Sequence, residues 1–599
     1  MRANGEVRGI VMSEKVFELG LVMAGAVSAG AYTAGVMDFL FEALDEYEAA
    51  RNSATWGGPR HAVRVPIMTG ASAGGMTSAV SALHAFHDLE HVQAGAAPPA
   101  PARNRLYSSW VSEISIERLL ETTDLTGPRR ANGVLSALCS DVLDEIVERA
   151  FLLDGGVRTR NWIGRGDDRN LRLRLTLTNV RGVPYSFPIF GADQPERYGM
   201  LNHADFYEFI VGPGATSLGA TGLDAARLDA PEWALFKTAA LATGAFPIGL
   251  RPREIHRPNS DWYRSNGCVG YEDAANQCFV NIGPDSGFVE APYAFVSVDG
   301  GTIDNEPLEL ARRYLAGGTV LHNDPNGDGA NKAVVLIAPF PNFVKSPPAD
   351  PIIKLTHLLP LIGSALIDQA RFKPDELQKA ADDTVFSRFM ISPTREGNGS
   401  DEAKTYPIAC GAMGGFSGFL HESFRRHDYL LGRRNAQAFL RWNFALPETN
   451  PLFAGAAIDR GRWLVRDAGA QTGSIAANAD RGLAPKLFAA QVKDKPSVAG
   501  FPIIPLTDRL CEPIVIGTAD MPRPDLVSLD DLKPRIEGRA SAVVATLVDI
   551  DLQPYMASMN AFASEALRFG GRQFGAHIAT ELGVAQVKKA LAELQAAFA

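Results

Sequence analysis

The chain has 599 residues and a mass of 64.3 kDa, more than one hydrophobic core needs, so we expect a main domain followed by a further C-terminal unit. Hydrophobic residues make up 46% of the chain and charged residues 21%, proportions typical of a globular protein. The net charge of −10 argues against nucleic-acid binding and against electrostatic attachment to anionic lipids, so any membrane contact would depend on apolar surface.

Three features of the sequence bear on where the protein is found. Its five cysteines are too few and too scattered for a disulfide scaffold, which favours a reducing compartment. The first residues contain no apolar segment followed by a small-residue cleavage site, so no secretory signal is predicted. The uncharged run 19–37 is long enough for a membrane span, but it consists mostly of small residues that transfer poorly into lipid. We therefore expect a cytoplasmic protein, with membrane contact only at its periphery.

The first predicted unit is a strand, a small-residue loop and a helix. The apolar run 16–23 is typical of a buried strand, and residues 31–46 repeat apolar side chains at helical spacing. The loop at 24–30, with the sequence AGAVSAG, would present backbone amides at the carboxyl edge of a sheet, where α/β folds bind ligands. Such amides can form an oxyanion hole, although a close contact between helix and strand would require the same small residues.

The second unit, residues 63–86, has the sequence pattern of a nucleophile elbow. An apolar strand breaks at GASAG and passes directly into a helical pattern. A serine at such a turn adopts strained backbone angles, and Gly70 and Gly74 let the flanking chain fold back tightly around Ser72. The N-terminus of the following helix would favour negative charge at this point.

Two features beside the elbow have structural explanations. Pro66 lies inside the predicted strand, which favours an edge position or a bulge. His84, His87 and His91 are spaced like metal ligands, but no motif of the HExxH type accompanies them. We therefore interpret them as a solvated helix face and predict no metal site.

The middle of the chain predicts mixed structure. A helical pattern covers 110–151, the alternating run 171–187 predicts a strand or hairpin, and residues 232–247 predict a small-residue helix that ends at a proline.

The next informative junction is a strand followed by a glycine turn. Residues 294–298 form an apolar strand that delivers Asp299 at its end, and Gly300 and Gly301 make the turn. A carboxylate in this place is positioned like a catalytic group, whereas an isolated aspartate in such a turn more often bonds its own backbone. Asn305 is expected to cap the helix that follows.

The C-terminal part of the sequence reads mainly as helix. A strand is predicted at 332–340, and prolines within 342–351 mark the expected exit from the sheet. Residues 352–383 and 416–444 have helical patterns, and Ser528 is expected to begin a capping box. The last helix carries an apolar seam at alternating spacings of three and four: Val584, Val587, Leu591, Leu594 and Phe598. Docking on the protein's own core and self-association as a homo-oligomer both explain that seam.

Taken in order, four of these blocks resemble the patatin-like phospholipase family, which includes the catalytic domains of cytosolic phospholipases A2. The family's Gly-rich block, GxSxG, ASxAxP and DGGxxxNxP correspond to residues 25–30, 70–74, 242–247 and 299–307. The resemblance covers residues 14–345 and implies an α/β/α sandwich with a mostly parallel central sheet. Residues 346–599 are expected to form a largely helical C-terminal region of unknown role.

The resemblance also implies hydrolysis of lipid acyl esters by a Ser–Asp dyad, without histidine and without a cofactor or metal. Ser72 would attack the ester carbonyl and Asp299 would accept its proton. Backbone amides of Gly25, Ala26 and Val27 would hold the oxyanion. The expected partners are a lipid or fatty-acyl ester substrate and, at most, the periphery of a membrane.

The sequence departs from the family in the Gly-rich block. Ala26 and Val27 replace two glycines, and Ala29 replaces a basic residue. Valine is tolerated without much strain only if the local φ is negative, and the missing cation removes an ordering contact.

Two other interpretations stay open at this point. A conventional α/β-hydrolase would combine Ser72 with a later aspartate and a histidine such as His357, His421 or His427. A catalytically weak relative retained as a lipid-binding or scaffold protein would fit the altered block and the long C-terminal region.

Overall fold

The computed structural model describes most of the chain. The described residues are 14–188, 197–216, 220–266, 269–317, 322–340, 369, 378–379, 385–395, 407–463, 500–556 and 575–598. The strands are β1 (Val16–Met23), β2 (Ala62–Gly70), β3 (Leu171–Pro188), β4 (Arg197–Gly212), β5 (Thr221–Asp224), β6 (Arg253–Arg257), β7 (Gly270–Asp273), β8 (Cys278–Asn281), β9 (Tyr293–Asp299), β10 (Lys332–Ile337), β11 (Arg388–Ile391), β12 (Ala445–Pro447) and β13 (Gly500–Pro502). The α-helices are α1 (Gly30–Arg51), α2 (Ser72–His84), α3 (Arg105–Tyr107), α4 (Ile116–Leu119), α5 (Asp141–Ala150), α6 (Trp233–Thr243), α7 (Trp262–Ser265), α8 (Leu308–Ala316), α9 (Glu422–Trp442), α10 (Arg460–Trp463), α11 (Leu529–Thr546), α12 (Gln553–Met556) and α13 (Ala576–Phe598).

Nine of the described strands form one mixed sheet. Its main path runs β11-β10-β1-β2-β3-β4-β5, and β9 pairs with both β3 and β6. The neighbours from β11 to β3 are parallel, whereas β3 pairs with β4 and with β9 in the antiparallel sense. The predicted mostly parallel sheet flanked by helices is therefore confirmed.

The central strands are buried on both faces, which explains their nearly continuous apolar sequences. Leu21 and Met23 of β1 face a large core that contains residues of α1 and α2. Val22, between them, faces a separate apolar cluster formed with α8. Alternate side chains of one strand thus fill the two layers of an α/β/α sandwich.

The uncharged run 19–37 and the proline of the elbow strand both have clear places in this fold. The run divides among β1, the loop after it and α1, and none of the helices in the described ranges combines the length and apolarity needed to cross a membrane. Pro66 lies in a central strand, between β1 and β3, so an edge position is wrong. The pairing of β1 with β2 shifts register between Arg64 and Ile67, which confirms the bulge.

The chain beyond residue 345 shares this sheet and its core. β11 pairs with β10, so the predicted exit from the sheet within 342–351 is wrong. Helix α9 packs directly on α1. This close contact requires Gly35 and Gly432, because a side chain at either position would overlap a backbone carbonyl of the opposite helix. The buried guanidinium of Arg433 lies 2.7 Å from Asp38 of α1. The division between residues 14–345 and 346–599 stays a prediction about domains, although both parts build one packed body.

The helical pattern predicted over residues 110–151 differs most from the structure. The described structure there contains only α4, α5 and short helical turns, because Gly127 and Gly133 adopt positive φ values of 55° and 75° and interrupt the pattern. The helix predicted at 352–383 lies almost entirely outside the described residues, and α9 begins at Glu422, later than predicted.

Two C-terminal predictions can be compared directly with contacts. Ser528 Oγ accepts a hydrogen bond of 3.2 Å from the Asp531 amide, so the predicted helix cap is confirmed. Val587, Leu591 and Leu594 of the last helix pack in a cluster with Leu420 of the segment before α9 and Leu532 of α11. The apolar seam therefore contacts this chain's own core, as the docking interpretation predicts.

Candidate active site

Ser72 lies in the sharp turn between β2 and α2. Only Ala71 separates the end of the strand from the start of the helix, and Ser72 itself has a φ of +53°. A side chain at Gly74 would overlap the carbonyl of Met23, and one at Gly70 would lie 2.6 Å from the carbonyl oxygen of Gly74. The glycines predicted for the elbow are therefore the residues that permit its close approach to β1.

Asp299 lies at the end of β9, beside β3, and contacts the serine directly. Ser72 Oγ donates a hydrogen bond of 2.6 Å to Asp299 Oδ2, although 227 positions separate the two residues. The amide of Gly301 donates to the other carboxylate oxygen at 2.7 Å, and Thr178 Oγ1 donates to the Asp299 carbonyl at 2.8 Å. Ser72 and Asp299 are only 7% and 2% exposed. A fixed, shielded carboxylate thus lies within proton-transfer distance of the hydroxyl.

The loop after β1 faces this pair with a second strained residue. Val27 begins a short 3-10 turn, Val27–Ala29, and has a φ of +47°, a region that β-branched residues rarely adopt. The Gly25 amide donates to the carbonyl of Asn305 at 3.2 Å. Of the three amides predicted to hold the oxyanion, those of Ala26 and Val27 make no hydrogen bond within the described residues and stay open to a ligand.

A distant segment of the chain holds this loop in place. Ser28 Oγ donates to the carbonyl of Gly415 and accepts from the amide of Gly418 at 3.0 Å. Arg425 Nη1 in turn donates to the Gly418 carbonyl at 2.6 Å. These contacts order the loop without the basic residue that Ala29 replaces.

A deep apolar cavity opens beside Ser72. Its volume is about 820 Å³, its open mouth included. Its lining includes Val27, Phe416, Met76 and Val80 of α2, and Ile146 of α5. An environment of this kind favours a hydrocarbon chain, because apolar surface removed from water contributes about 25 cal/mol per Å².

Two residues of the site had no functional role in the sequence interpretation. Thr243 Oγ1 accepts a hydrogen bond of 3.1 Å from the Ser72 amide, and it belongs to the ATGAFP block that the sequence did single out. Asn305 does not cap the next helix as predicted: its Nδ2 donates to Glu306 Oε1 at 2.7 Å, and α8 begins only at Leu308. Its carbonyl instead anchors Gly25, a contact between distant segments that no local pattern reveals.

The histidines considered for a Ser-His-Asp mechanism contact residues other than Ser72 where the structure describes them. His421 Nδ1 lies 2.8 Å from Ser423 Oγ at the start of α9, and the buried His427 Nδ1 lies 2.8 Å from Asp428 Oδ1. Neither is among the residues that line the cavity at Ser72. His357 lies outside the described residues.

His84 and His87 after the elbow are buried and His91 is partly buried, so the predicted solvated helix face is wrong. His84 Nε2 accepts a hydrogen bond of 2.9 Å from the Arg105 amide, and burial lowers the pKa of His84 to about 3. His87 Nδ1 lies 2.8 Å from the Leu83 carbonyl, and His91 Nδ1 contacts Asp38. Among the residues that the structure describes, no group of three or more His, Cys, Asp or Glu side chains is arranged to hold a metal ion.

Two comparisons with known proteins show what the chain is similar to. The chain is similar to the uncharacterized protein y4iI of Sinorhizobium fredii (strain NBRC 101917 / NGR234), with 38% identity over 473 residues. That match spans 72% of this chain and 65% of the relative, slightly less than two thirds of its length. Residues 21–312, which include the elbow, the glycine turn at Asp299 and the loop at 25–30, match the model of the patatin-like phospholipase family. Residues 21–312 therefore form a patatin-like phospholipase domain.

Proposed function

We propose that this protein is a lipid acyl hydrolase that cleaves carboxylic ester bonds through an acyl-enzyme on Ser72. The observation that carries the proposal is the 2.6 Å hydrogen bond from Ser72 Oγ to Asp299 Oδ2 at the wall of an apolar cavity. It combines a nucleophile, a base and space for a fatty-acyl chain in one place.

In the first half of the reaction, Ser72 Oγ attacks the ester carbonyl carbon while its proton passes to Asp299 Oδ2. The carbonyl oxygen becomes an oxyanion, and the amides of Ala26 and Val27 on the loop would donate hydrogen bonds to it. Each such donor contributes about 3 kcal/mol to stabilisation of the transition state. The tetrahedral intermediate then collapses, the bond to the alcohol oxygen breaks, and the alcohol leaves with the proton held by Asp299.

In the second half, water replaces the alcohol. Asp299 removes a proton from water as the water oxygen attacks the acyl carbon, and the same proton returns to Ser72 Oγ when the bond to serine breaks. The products are a fatty acid and the free enzyme. The bond from the Gly301 amide to Asp299 Oδ1 holds the carboxylate in one orientation throughout.

The cavity supports a lipid rather than a small polar ester as the substrate. Its walls are almost entirely apolar, so an acyl chain would gain free energy with each methylene group that it buries there. A phospholipase A or lysophospholipase reaction fits this arrangement, since the head group would stay outside the cavity with the leaving alcohol.

Covalent labelling tests the proposal directly. An alkyl fluorophosphonate should label Ser72, and the protein should hydrolyse p-nitrophenyl esters of long acyl chains faster than the acetate. Ser72→Ala should lose both properties. Ser81→Ala is the matched control, because Ser81 is a buried serine of the same helix whose hydroxyl has no hydrogen-bond partner among the described residues. A folded protein that is labelled on another residue, or is not labelled, would contradict the proposal.

A further inference from the structure

The rim of the apolar cavity is built from two segments that lie side by side. The Ala137 amide donates to the Ile248 carbonyl at 2.8 Å, and the Leu138 amide donates to the Gly249 carbonyl at 3.0 Å. Leu138, Phe246 and Leu250 of these segments line the cavity. The same short turn that closes one side of the cavity therefore also presents residues to solvent.

Ile248 projects from this turn in an unusual way. Its side chain is 86% exposed, and its φ is +68°, a region in which a β-branched residue is a genuine outlier. Glycine or asparagine would occupy the position with less strain and would leave less apolar surface in water. A strained and exposed apolar residue beside a binding cavity suggests a function outside the folded core.

Two further apolar side chains lie on adjoining segments. Leu135 is 47% exposed and lies just before Ala137 and Leu138, whose amides donate hydrogen bonds to the turn at Ile248. Leu552 is also exposed and follows Asp551, whose Oδ2 accepts a hydrogen bond of 3.0 Å from the Val134 amide. We call Leu135, Ile248 and Leu552 the apolar rim.

The arginines beside the apolar rim are paired with carboxylates. Arg251 and Arg253, just after the Ile248 turn, lie 2.7 Å and 2.6 Å from Asp144 oxygens. Arg129, on the segment that leads to Leu135, lies 2.7 Å from Asp141. The rim therefore offers apolar contact without a cluster of positive side chains for anionic head groups.

We propose that the apolar rim docks the protein on the surface of a lipid bilayer or micelle, with Ile248 inserted among the acyl chains. The inference rests on the proposed function, because a cavity that receives one chain of an aggregated lipid must open toward that aggregate. Continuity between the rim and the cavity wall selects this partner, since Phe246 and Leu250 on either side of Ile248 face the cavity. Binding depends on burial of apolar surface and not on charge.

The test compares two equivalent substitutions. Ile248→Asn removes the apolar side chain and suits a positive φ, so folding is not at risk. Ile578→Asn changes an isoleucine on α13 that is 57% exposed and serves as the control. Partition onto phosphatidylcholine vesicles is measured by sedimentation, and rates are measured on those vesicles and on a soluble short-chain p-nitrophenyl ester.

Wild-type protein should bind these vesicles equally well at low and high salt. Ile248→Asn should weaken partition by about tenfold, the effect of withdrawing one large apolar side chain from lipid. It should lower the ratio of the vesicle rate to the soluble-ester rate to a similar extent, and Ile578→Asn should change neither quantity.

Three results would overturn the inference. The first is that wild type and Ile248→Asn bind vesicles equally. The second is that wild type hydrolyses the soluble ester but does not bind vesicles. The third is that Ile248→Asn acts by disrupting a dimer. The last result would assign the rim to a second copy of the chain. Absence of hydrolysis on every ester would instead contradict the proposed function, while vesicle partition would still report on the rim.

Discussion

The elbow and the loop after β1 each contain a residue with a strained backbone, Ser72 and Val27, but the reasons for the strain differ. Both residues have left-handed backbones, with φ values of +53° and +47°, and both line the same cavity. At Ser72, the strain presents the hydroxyl to Asp299, and the neighbouring glycines are indispensable. At Val27, a glycine would adopt the same backbone without strain, as the family pattern has it. In this chain, the family pattern is therefore kept at the proposed nucleophile and altered at the proposed oxyanion loop.

Distant segments hold both sites, but only the loop at Val27 is held by the C-terminal part of the chain. Ser28 contacts Gly415 and Gly418, nearly 400 positions later, and Val27 packs against Gly415. The elbow is formed by β2 and α2, and its Ser72 amide donates a hydrogen bond to Thr243, 171 positions later. A C-terminal segment therefore contacts the loop in which this chain lacks the family's glycines and cation.

The largest expected effect comes from Ser72→Gly. This change removes the hydroxyl and also the strain, so we expect hydrolysis to fall at least 10³-fold while the protein gains up to about 1 kcal/mol in free energy of unfolding. Steady-state rates and urea unfolding measure the two quantities. Appreciable activity in the folded variant would mean that another nucleophile carries the reaction.

Gly25→Ala should have the next largest effect. The added Cβ would overlap Asn305 Oδ1 and lie 2.9 Å from Ser72 Cβ, so the loop must move away from the nucleophile. We expect kcat to fall about 10²-fold, the order observed when one oxyanion donor is lost. Gly20→Ala in β1, the strand before this loop, is the control, because its Cβ would come no closer than 3.2 Å to any neighbour. Equal activities of the two variants would contradict the proposal that catalysis depends on the position of the loop at 25–30.

Ser28→Ala tests the support from the C-terminal segment. It removes two buried hydrogen bonds, each worth about 1 kcal/mol, and leaves the Gly415 carbonyl and Gly418 amide unpaired. We expect kcat/KM to fall about tenfold, mainly through kcat, with a smaller loss of thermal stability. An unchanged kcat would show that the loop keeps its shape without this contact.

The smallest expected effect is that of Val27→Gly. The substitution relieves about 1 kcal/mol of strain but makes the unfolded chain more flexible, so the net change in stability should be within about 1 kcal/mol of zero. Turnover should stay the same or rise up to about threefold, because the Val27 amide remains. A large loss of activity would instead assign an essential contact to the valine side chain.

Local sequence patterns predicted the parts of the site that local physics determines. The strand at 16–23, the turn at Ser72 and the strand that ends in Asp299 each depend on apolar runs and glycines within a few residues. The sequence could not give the sign of φ at Val27, because glycine is absent there and packing against Gly415 holds the valine in place.

Long-range contacts account for most of what the sequence did not predict. The bond from Ser28 to Gly418 and the bond from Gly25 to Asn305 join segments that no spacing rule connects. The return of the chain to the sheet at β11 depends on pairing with β10, and the four-residue strand has too few residues for a clear pattern.

The central claim is that Ser72 works with Asp299 and without a histidine. The most direct test measures kcat/KM of Asp299→Asn beside single glutamine substitutions at His357, His421 and His427. We predict that Asp299→Asn, with its fold retained, loses at least 10³-fold, because an amide cannot accept the serine proton. Each histidine variant should keep activity within about threefold of wild type. A folded histidine variant as inactive as Ser72→Ala, or an active Asp299→Asn, would contradict the account.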